Sequence, residues 1–194
     1  MYLHSTGYWL LLTYNCKKMD SLISLLKHRY IVVSHLAELL YDKKSNATYE
    51  RLRSRMTERH RFKEEEYKKL HIIFTEMQLD LETQAKMLER LIKFPNTKNS
   101  KAFLEEFPKN IGHQALQLKA ILQDIGGQTQ KDYYRMYDHL RERRELKDEH
   151  LISLAQKINE FASTIKKQLK IAQREAKQYQ FSAGRGQHSH ILDN

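Results

Sequence analysis

The sequence predicts an all-α protein, and three observations support this. Only two prolines and six glycines interrupt 194 residues. The chain is rich in Leu, Lys, Glu, Gln, Arg and Ala, which lose little conformational freedom in a helix. Apolar residues recur at spacings of three and four over long stretches, as they do along one face of a helix. Since 40% of the residues are hydrophobic and 30% charged, we expect a thin core spread along helices.

Three short helices are predicted in the first third of the chain. The β-branched triplet Ile31-Val32-Val33 is a poor helix interior, and Ser34 is a natural N-cap for a second helix after it. After a polar turn, Ser45 or Asn46 can cap a third helix. These predicted helices cover about residues 21–29, 35–41 and 46–56.

Longer helices are predicted after residue 62. Glu64, Glu65 and Glu66 suit the first turn of a long helix, where the helix dipole favours acids. We expect a break before Pro108 and a strong stop at Gly126-Gly127. The charged stretch "RERRELKDEH" (141–150) either continues the last helix or forms a hinge. The predicted helices cover about residues 63–93, 101–106, 110–125 and 130–180.

Apolar positions in two of these helices form a narrow seam. Such stripes usually pack into a core, so the helices can form a bundle within one chain. The alternative is a coiled coil with a second protomer. The last helix is much longer than the predicted helix at 110–125, so we expect part of its stripe to need another partner, a homo-oligomer or a helical protein. The seam residues are Tyr67, Leu70, Phe74, Met77, Leu81, Leu88, Leu91, Leu151, Leu154, Ile158, Phe161 and Ile165.

The net charge of +10 is concentrated near the start of the chain. Residues 1–62 hold 11 Lys/Arg against 5 Asp/Glu, residues 63–128 hold 10 against 10, and residues 129–194 hold 13 against 9. Positive charge beside a short helix indicates a polyanionic partner. The alternative is a basic protein with no role on nucleic acid.

The segment "VSHLAELLYDKKSNATYERLRSRM" resembles the helix-turn-helix of the lambda-repressor-like DNA-binding family. Ala37 stands where that motif needs a small residue so that two helices can cross closely. Downstream, "RFKEEEYKKLHII" is similar to the next helix of the family, with Phe62 entering the core. The resemblance covers about residues 20–75. One departure is the turn, which is about two residues longer and has Tyr41-Asp42 where the family usually has glycine.

The resemblance implies that the third helix reads duplex DNA. Residues near its start would project toward base edges in the major groove, and the flanking cations would neutralise phosphates. The DNA-binding residues expected from it are Lys43, Lys44, Ser45, Asn46, Thr48, Glu50, Arg51, Arg53, Arg55, Arg59 and Arg61.

Enzymatic chemistry is not expected. None of the ten histidines follows a glutamate at the Glu-x-x-His spacing of di-iron bundles, and no Gly-rich phosphate loop or catalytic triad signature is present. We therefore predict no cofactor and no metal. The single cysteine, Cys16, excludes an internal disulfide and fits a cytoplasmic protein.

The overall hypothesis is a DNA-binding protein, either a transcriptional regulator or an accessory factor of mobile-element DNA. The alternative is a non-enzymatic helical-bundle adaptor that binds only proteins. A basic helix at 163–180 lying on a membrane surface ranks third, and we expect no membrane partner. The predicted organisation is an extension of unknown role (1–18), a helix-turn-helix-like domain (19–75), a long-helix bundle or oligomerisation region (76–181) and a disordered tail (182–194).

Overall fold

A computed structural model describes residues 20–57, 62–93, 98–126, 129–140 and 147–186. These ranges contain eight helices and no strand, which confirms the all-α prediction. The helices are α1 (Asp20–Leu26), α2 (Val33–Tyr41), α3 (Asn46–Met56), α4 (Glu64–Lys93), α5 (Lys98–His113), α6 (Leu118–Asp124), α7 (Gln130–Leu140) and α8 (Asp148–Gly186).

The two longest helices, α4 and α8, form an antiparallel pair at the centre of the fold. The Tyr67 hydroxyl donates to the Ala172 carbonyl at 2.8 Å near one end of the pair. Farther along, Lys166 Nζ lies 3.3 Å from Glu82 Oε1. The pairing therefore runs from the start of α4 and the later part of α8 toward the opposite ends.

The predicted seam belongs to the core that this pair forms with the neighbouring helices. Of the twelve seam residues named above, Tyr67 is half-buried and the other eleven are buried. The thirty-residue α4 covers the stripe of α8 along its described side chains. The expectation that part of this stripe needs a further partner stays a prediction only beyond Glu175, where the side chains lie outside the described part of the chain. That expectation compared α8 with the predicted helix at 110–125. In the structure α8 packs against α4, which begins more than eighty residues before α8.

The first three helices pack on the α4–α8 pair as part of one continuous core. α1 lies against α8, where Ser21 Oγ donates to Glu175 Oε2 at 2.8 Å. α2 packs against α3 and α4, and Ala37 is fully buried between its neighbours. The predicted domain boundary at residue 75 falls within α4, which continues through it.

The connection between α1 and α2 is held by the segment before α6. Ile31 and Leu116 form an isolated antiparallel bridge. The Val32 N–H donates to the Ala115 carbonyl at 2.7 Å, so α2 begins at Val33 with no side-chain cap. The predicted cap at Ser34 is wrong because this pairing fixes Val32 in an extended conformation.

Two other predicted helix limits are also wrong. α5 continues through Pro108 to His113. Phe107 and Ile111 are fully buried on that helix, and burying two such side chains contributes roughly 3–6 kcal/mol, enough to offset a proline's cost of about 3 kcal/mol. At the C-terminus, α8 extends to Gly186 instead of ending at about residue 180.

Of the remaining limits, α1 ends at Leu26 instead of about residue 29, and α6 begins at Leu118 instead of about residue 110. α3 begins at the predicted cap, Ser45, and ends as expected. α7 ends at Leu140 and α8 begins at Asp148, while residues 141–146 between them lie outside the described ranges, as do 1–19 and 187–194.

Two leucines two residues apart on α4 provide a test of this packing. Leu81 is fully buried and Leu79 is 56% exposed. We expect Leu81→Ala to lower the free energy of unfolding by about 2–5 kcal/mol, because it leaves a cavity. Leu79→Ala should change it by no more than about 0.5 kcal/mol. Equal losses in urea denaturation would contradict the α4–α8 arrangement.

Candidate nucleic-acid interface

The turn between α2 and α3 is closed by local polar contacts. Asp42 ends α2 with φ 52° and ψ 28°, in the left-handed region that favours glycine and tolerates aspartate. Ser45 caps α3 by accepting from the Thr48 N–H at 3.2 Å, and the Thr48 hydroxyl accepts from the Ser45 N–H at 3.3 Å. Asp42 therefore supplies the left-handed residue that ends α2 and opens the turn to α3.

One side of α3 faces the core and the opposite side faces solvent. Leu52 is fully buried, whereas Asn46, Glu50 and Arg53 are exposed at spacings of four and three along one stripe. Lys43 and Lys44 are exposed in the preceding turn. We call these five residues, Lys43, Lys44, Asn46, Glu50 and Arg53, the outer face of α3.

Two other arginines of α3 contact the buried carboxylate of Glu66, in the first turn of α4. Arg51 Nη2 donates to Glu66 Oε1 at 2.5 Å. Arg55 Nε lies 3.2 Å from Glu66 Oε2 in an ion pair that lacks hydrogen-bond geometry. The Lys63 N–H (2.9 Å) and the Tyr41 hydroxyl (3.2 Å) also donate to this carboxylate. Glu66 thus ties α2, α3 and α4 together.

The charges in this network shift the pKa values of its members. Burial opposes ionisation of Glu66, but the Lys63 N–H and the two guanidinium groups outweigh it and lower the pKa of Glu66. Burial and the Glu66 charge raise the pKa of Tyr41 to about 12. Glu66 is therefore ionised and Tyr41 neutral at physiological pH.

Arg51 and Arg55 have different roles. The Arg55 side chain is 14% exposed and that of Arg51 is 46% exposed. The Arg51 guanidinium also lies 4.4 Å from the centre of the Tyr41 ring. The face of this ring attracts the cation and restrains the position of the Arg51 side chain. Since Arg55 alone can balance the charge of Glu66, Arg51 retains exposed donor groups that an external anion could use.

The sequence-based site is thus divided by the fold. Five of the eleven residues of the predicted site are exposed on the outer face of α3. Ser45 and Thr48 serve the helix cap, Arg55 serves the Glu66 network, and Arg51 is shared between that network and solvent. Arg59 and Arg61 lie outside the described residues.

Sequence reasoning missed the roles of Glu66 and Tyr41. Glu66 follows two other glutamates, and the helix dipole explains all three equally well. A possible signal was the arginine pair at 51 and 55, four residues apart on one helix face, which requires a negative partner if that face is buried.

No group of three or more His, Cys, Asp or Glu residues that could hold a metal ion occurs among the described residues. In the same part of the chain, every helix is too short or too polar to cross a membrane. Comparison with protein-family models, curated proteins and solved structures finds no match.

Arg53 and Arg55 provide a matched test of the Glu66 network. We expect Arg55→Ala to lower the free energy of unfolding by roughly 1–3 kcal/mol, because it removes a partner of a buried charge. Arg53→Ala should change it by less than about 0.5 kcal/mol, because Arg53 is exposed. Urea denaturation of both variants measures this difference, and equal losses would show that Arg55 does not stabilise the fold.

The lowered pKa of Glu66 predicts acid sensitivity. Its folded-state pKa lies below the unfolded value, so its contribution to stability is present above about pH 5 and is lost as the pH falls through the folded-state pKa. We expect Glu66→Gln to be less stable than wild type at neutral pH and to lose less stability on acidification. The exposed control Glu65→Gln should follow the wild-type curve, and a parallel Glu66→Gln curve would contradict the network.

Proposed function

We propose that this protein binds duplex DNA through the outer face of α3. The observation that carries the proposal is that α3 is fixed on one side by Leu52 and the Glu66 network, while a polar and basic stripe faces solvent on the other. A rigidly supported helix can present its side chains to a groove at a small cost in conformational entropy.

The residues of this face fit two kinds of DNA contact. Lys43, Lys44 and Arg53 would neutralise phosphates, with Arg51 as a further candidate from the edge of the Glu66 network. Asn46 can form paired hydrogen bonds with adenine, and Glu50 can accept from the cytosine amine. The first group supplies affinity, and the second supplies sequence preference.

The natural uses of such a face are transcriptional regulation and an accessory role on mobile-element DNA. Support comes from the resemblance of residues 20–75 to the lambda-repressor-like family. The left-handed Asp42 and the buried Ala37 fit that motif. In this proposal the long helices form the scaffold that holds α3.

A triple variant tests the phosphate contacts. We expect Lys43→Ala/Lys44→Ala/Arg53→Ala to bind a mixed-sequence duplex more weakly and to lower the slope of log affinity against log salt by about 0.9 for each phosphate that is no longer neutralised. The measurement is fluorescence anisotropy over a salt series. The control Lys86→Ala/Arg90→Ala/Lys109→Ala removes the same charge from exposed positions elsewhere. Equal effects in the two variants would contradict a specific role for α3.

The base-reading residues require a separate test. We expect Asn46→Ala and Glu50→Ala to change the sequences enriched from a random duplex pool while leaving the salt slope near the wild-type value, because neither residue neutralises a phosphate. An unchanged sequence preference in both variants would show that α3 does not read bases.

A protein-binding adaptor is the second candidate, and one observation favours it. Ile72 and Leu79 lie seven residues apart on the outer side of α4, and each is 56% exposed. This spacing places them on one face, where an apolar partner could cover both. Absent or salt-insensitive DNA binding, together with a stable complex that Ile72→Ser/Leu79→Ser disrupts, would favour the adaptor.

A further inference from the structure

The outer side of α8 carries a basic surface. Residues 161–174 contain four cations and no acid. Three of these cations, Lys167, Lys170 and Arg174, are exposed at spacings of three and four, on the side of α8 opposite its buried residues. We call these three residues the α8 strip.

Several other cations of α4 and α8 are neutralised within the fold. Lys68 pairs with Glu64 at 2.6 Å, Lys157 with Glu160 at 2.7 Å and Lys166 with Glu82 at 3.3 Å. Within the described ranges, no member of the α8 strip forms an ion pair. Like charges at these spacings repel one another, so the strip weakens the isolated helix without a compensating internal contact. An external anion would remove that repulsion.

The geometry of α8 favours a nucleic-acid backbone over a lipid surface. A helix that lies in a membrane interface needs a free apolar face. The apolar face of α8 is buried against the bundle, including Ile165, Leu169 and Ala172. The α8 strip spans about 10 Å at 1.5 Å per residue, similar to the axial length of about three phosphates of one strand at 3.4 Å.

The strip and α3 belong to the same end of the molecule. Tyr67 contacts Ala172 and Ser21 contacts Glu175, so this part of α8 packs on the start of α4 and on α1. Arg51 and Arg55 reach Glu66 in the first turn of α4. A charged surface of this kind increases the local concentration of a polyanion at that end of the fold.

We propose that the α8 strip binds the phosphate backbone of nucleic acid, as a surface distinct from the outer face of α3. It shares with the proposed function the premise that the chain binds nucleic acid, but it does not depend on α3 as the reading helix. The strip consists only of cations that follow one another along the outer side of α8, an arrangement that suits a row of phosphates. Its contribution is therefore to affinity and not to sequence preference.

The test is the full-length variant Lys167→Gln/Lys170→Gln/Arg174→Gln, with Lys86→Gln/Arg90→Gln/Lys109→Gln as the charge-matched control. Circular dichroism and gel filtration first establish that both variants keep the wild-type fold. Binding to a mixed-sequence duplex is then measured by anisotropy over a salt series. We expect the strip variant to bind at least about tenfold more weakly in low salt, with a slope smaller by about 2–3, because three fewer phosphates are neutralised. The control should stay near wild type.

Several results would overturn this inference. Equal weakening in strip variant and control would show an effect of net charge alone, and wild-type affinity in the strip variant would show that the strip does not touch DNA. Loss of binding to anionic phospholipid vesicles with unchanged DNA binding would assign the strip to a lipid surface. If only the α3 triple variant loses affinity, the strip proposal fails and the α3 proposal stands. If only the strip variant loses affinity, the α3 proposal fails and the strip proposal stands.

Discussion

The pairing of α4 with α8 is the interaction on which the remaining structure depends. Neither helix could keep its apolar stripe in water, and each covers most of the other's stripe in antiparallel orientation. The first turns of α4 then provide a platform for α2 and, through the ion pairs of Glu66, for α3, and the later part of α8 provides one for α1. The nucleic-acid surfaces proposed on α3 and α8 both lie on elements that this pair holds in place.

The Glu66 network shows a conflict between stability and binding on α3. An arginine used to balance a buried carboxylate cannot also be fully available to a phosphate, because both compete for the same donor groups. In this protein two arginines contact Glu66, and they differ in exposure. Arg55 is largely buried beside Glu66, whereas Arg51 is exposed enough to contact solvent as well. The outer face of α3 carries no such structural duty beyond the pairing of Arg53 with Glu50 at 3.7 Å.

Much of the fold could be predicted because apolar spacing and capping are local properties of a sequence. The seam residues of α4 and α8 are buried almost without exception, and α3 has the predicted cap. Errors occur where a distant contact overrides a local preference. The bridge between Ile31 and Leu116 displaces the start of α2, and the buried Phe107 and Ile111 carry α5 through Pro108. In the candidate site, composition identified the basic helix but could not distinguish exposed arginines from paired ones.

By itself, the sequence determined that this chain is helical, which positions are apolar and where positive charge accumulates, because these depend on neighbouring residues and composition. Only the tertiary structure decided that the apolar stripe of α8 packs against that of α4. From the sequence, the partner of α8 could equally be another chain or any helix of the same chain. The tertiary structure also decided which cations are free. That depends on whether an acid such as Glu66 is brought within a few ångströms of them, and distance in space is not encoded in spacing along the chain.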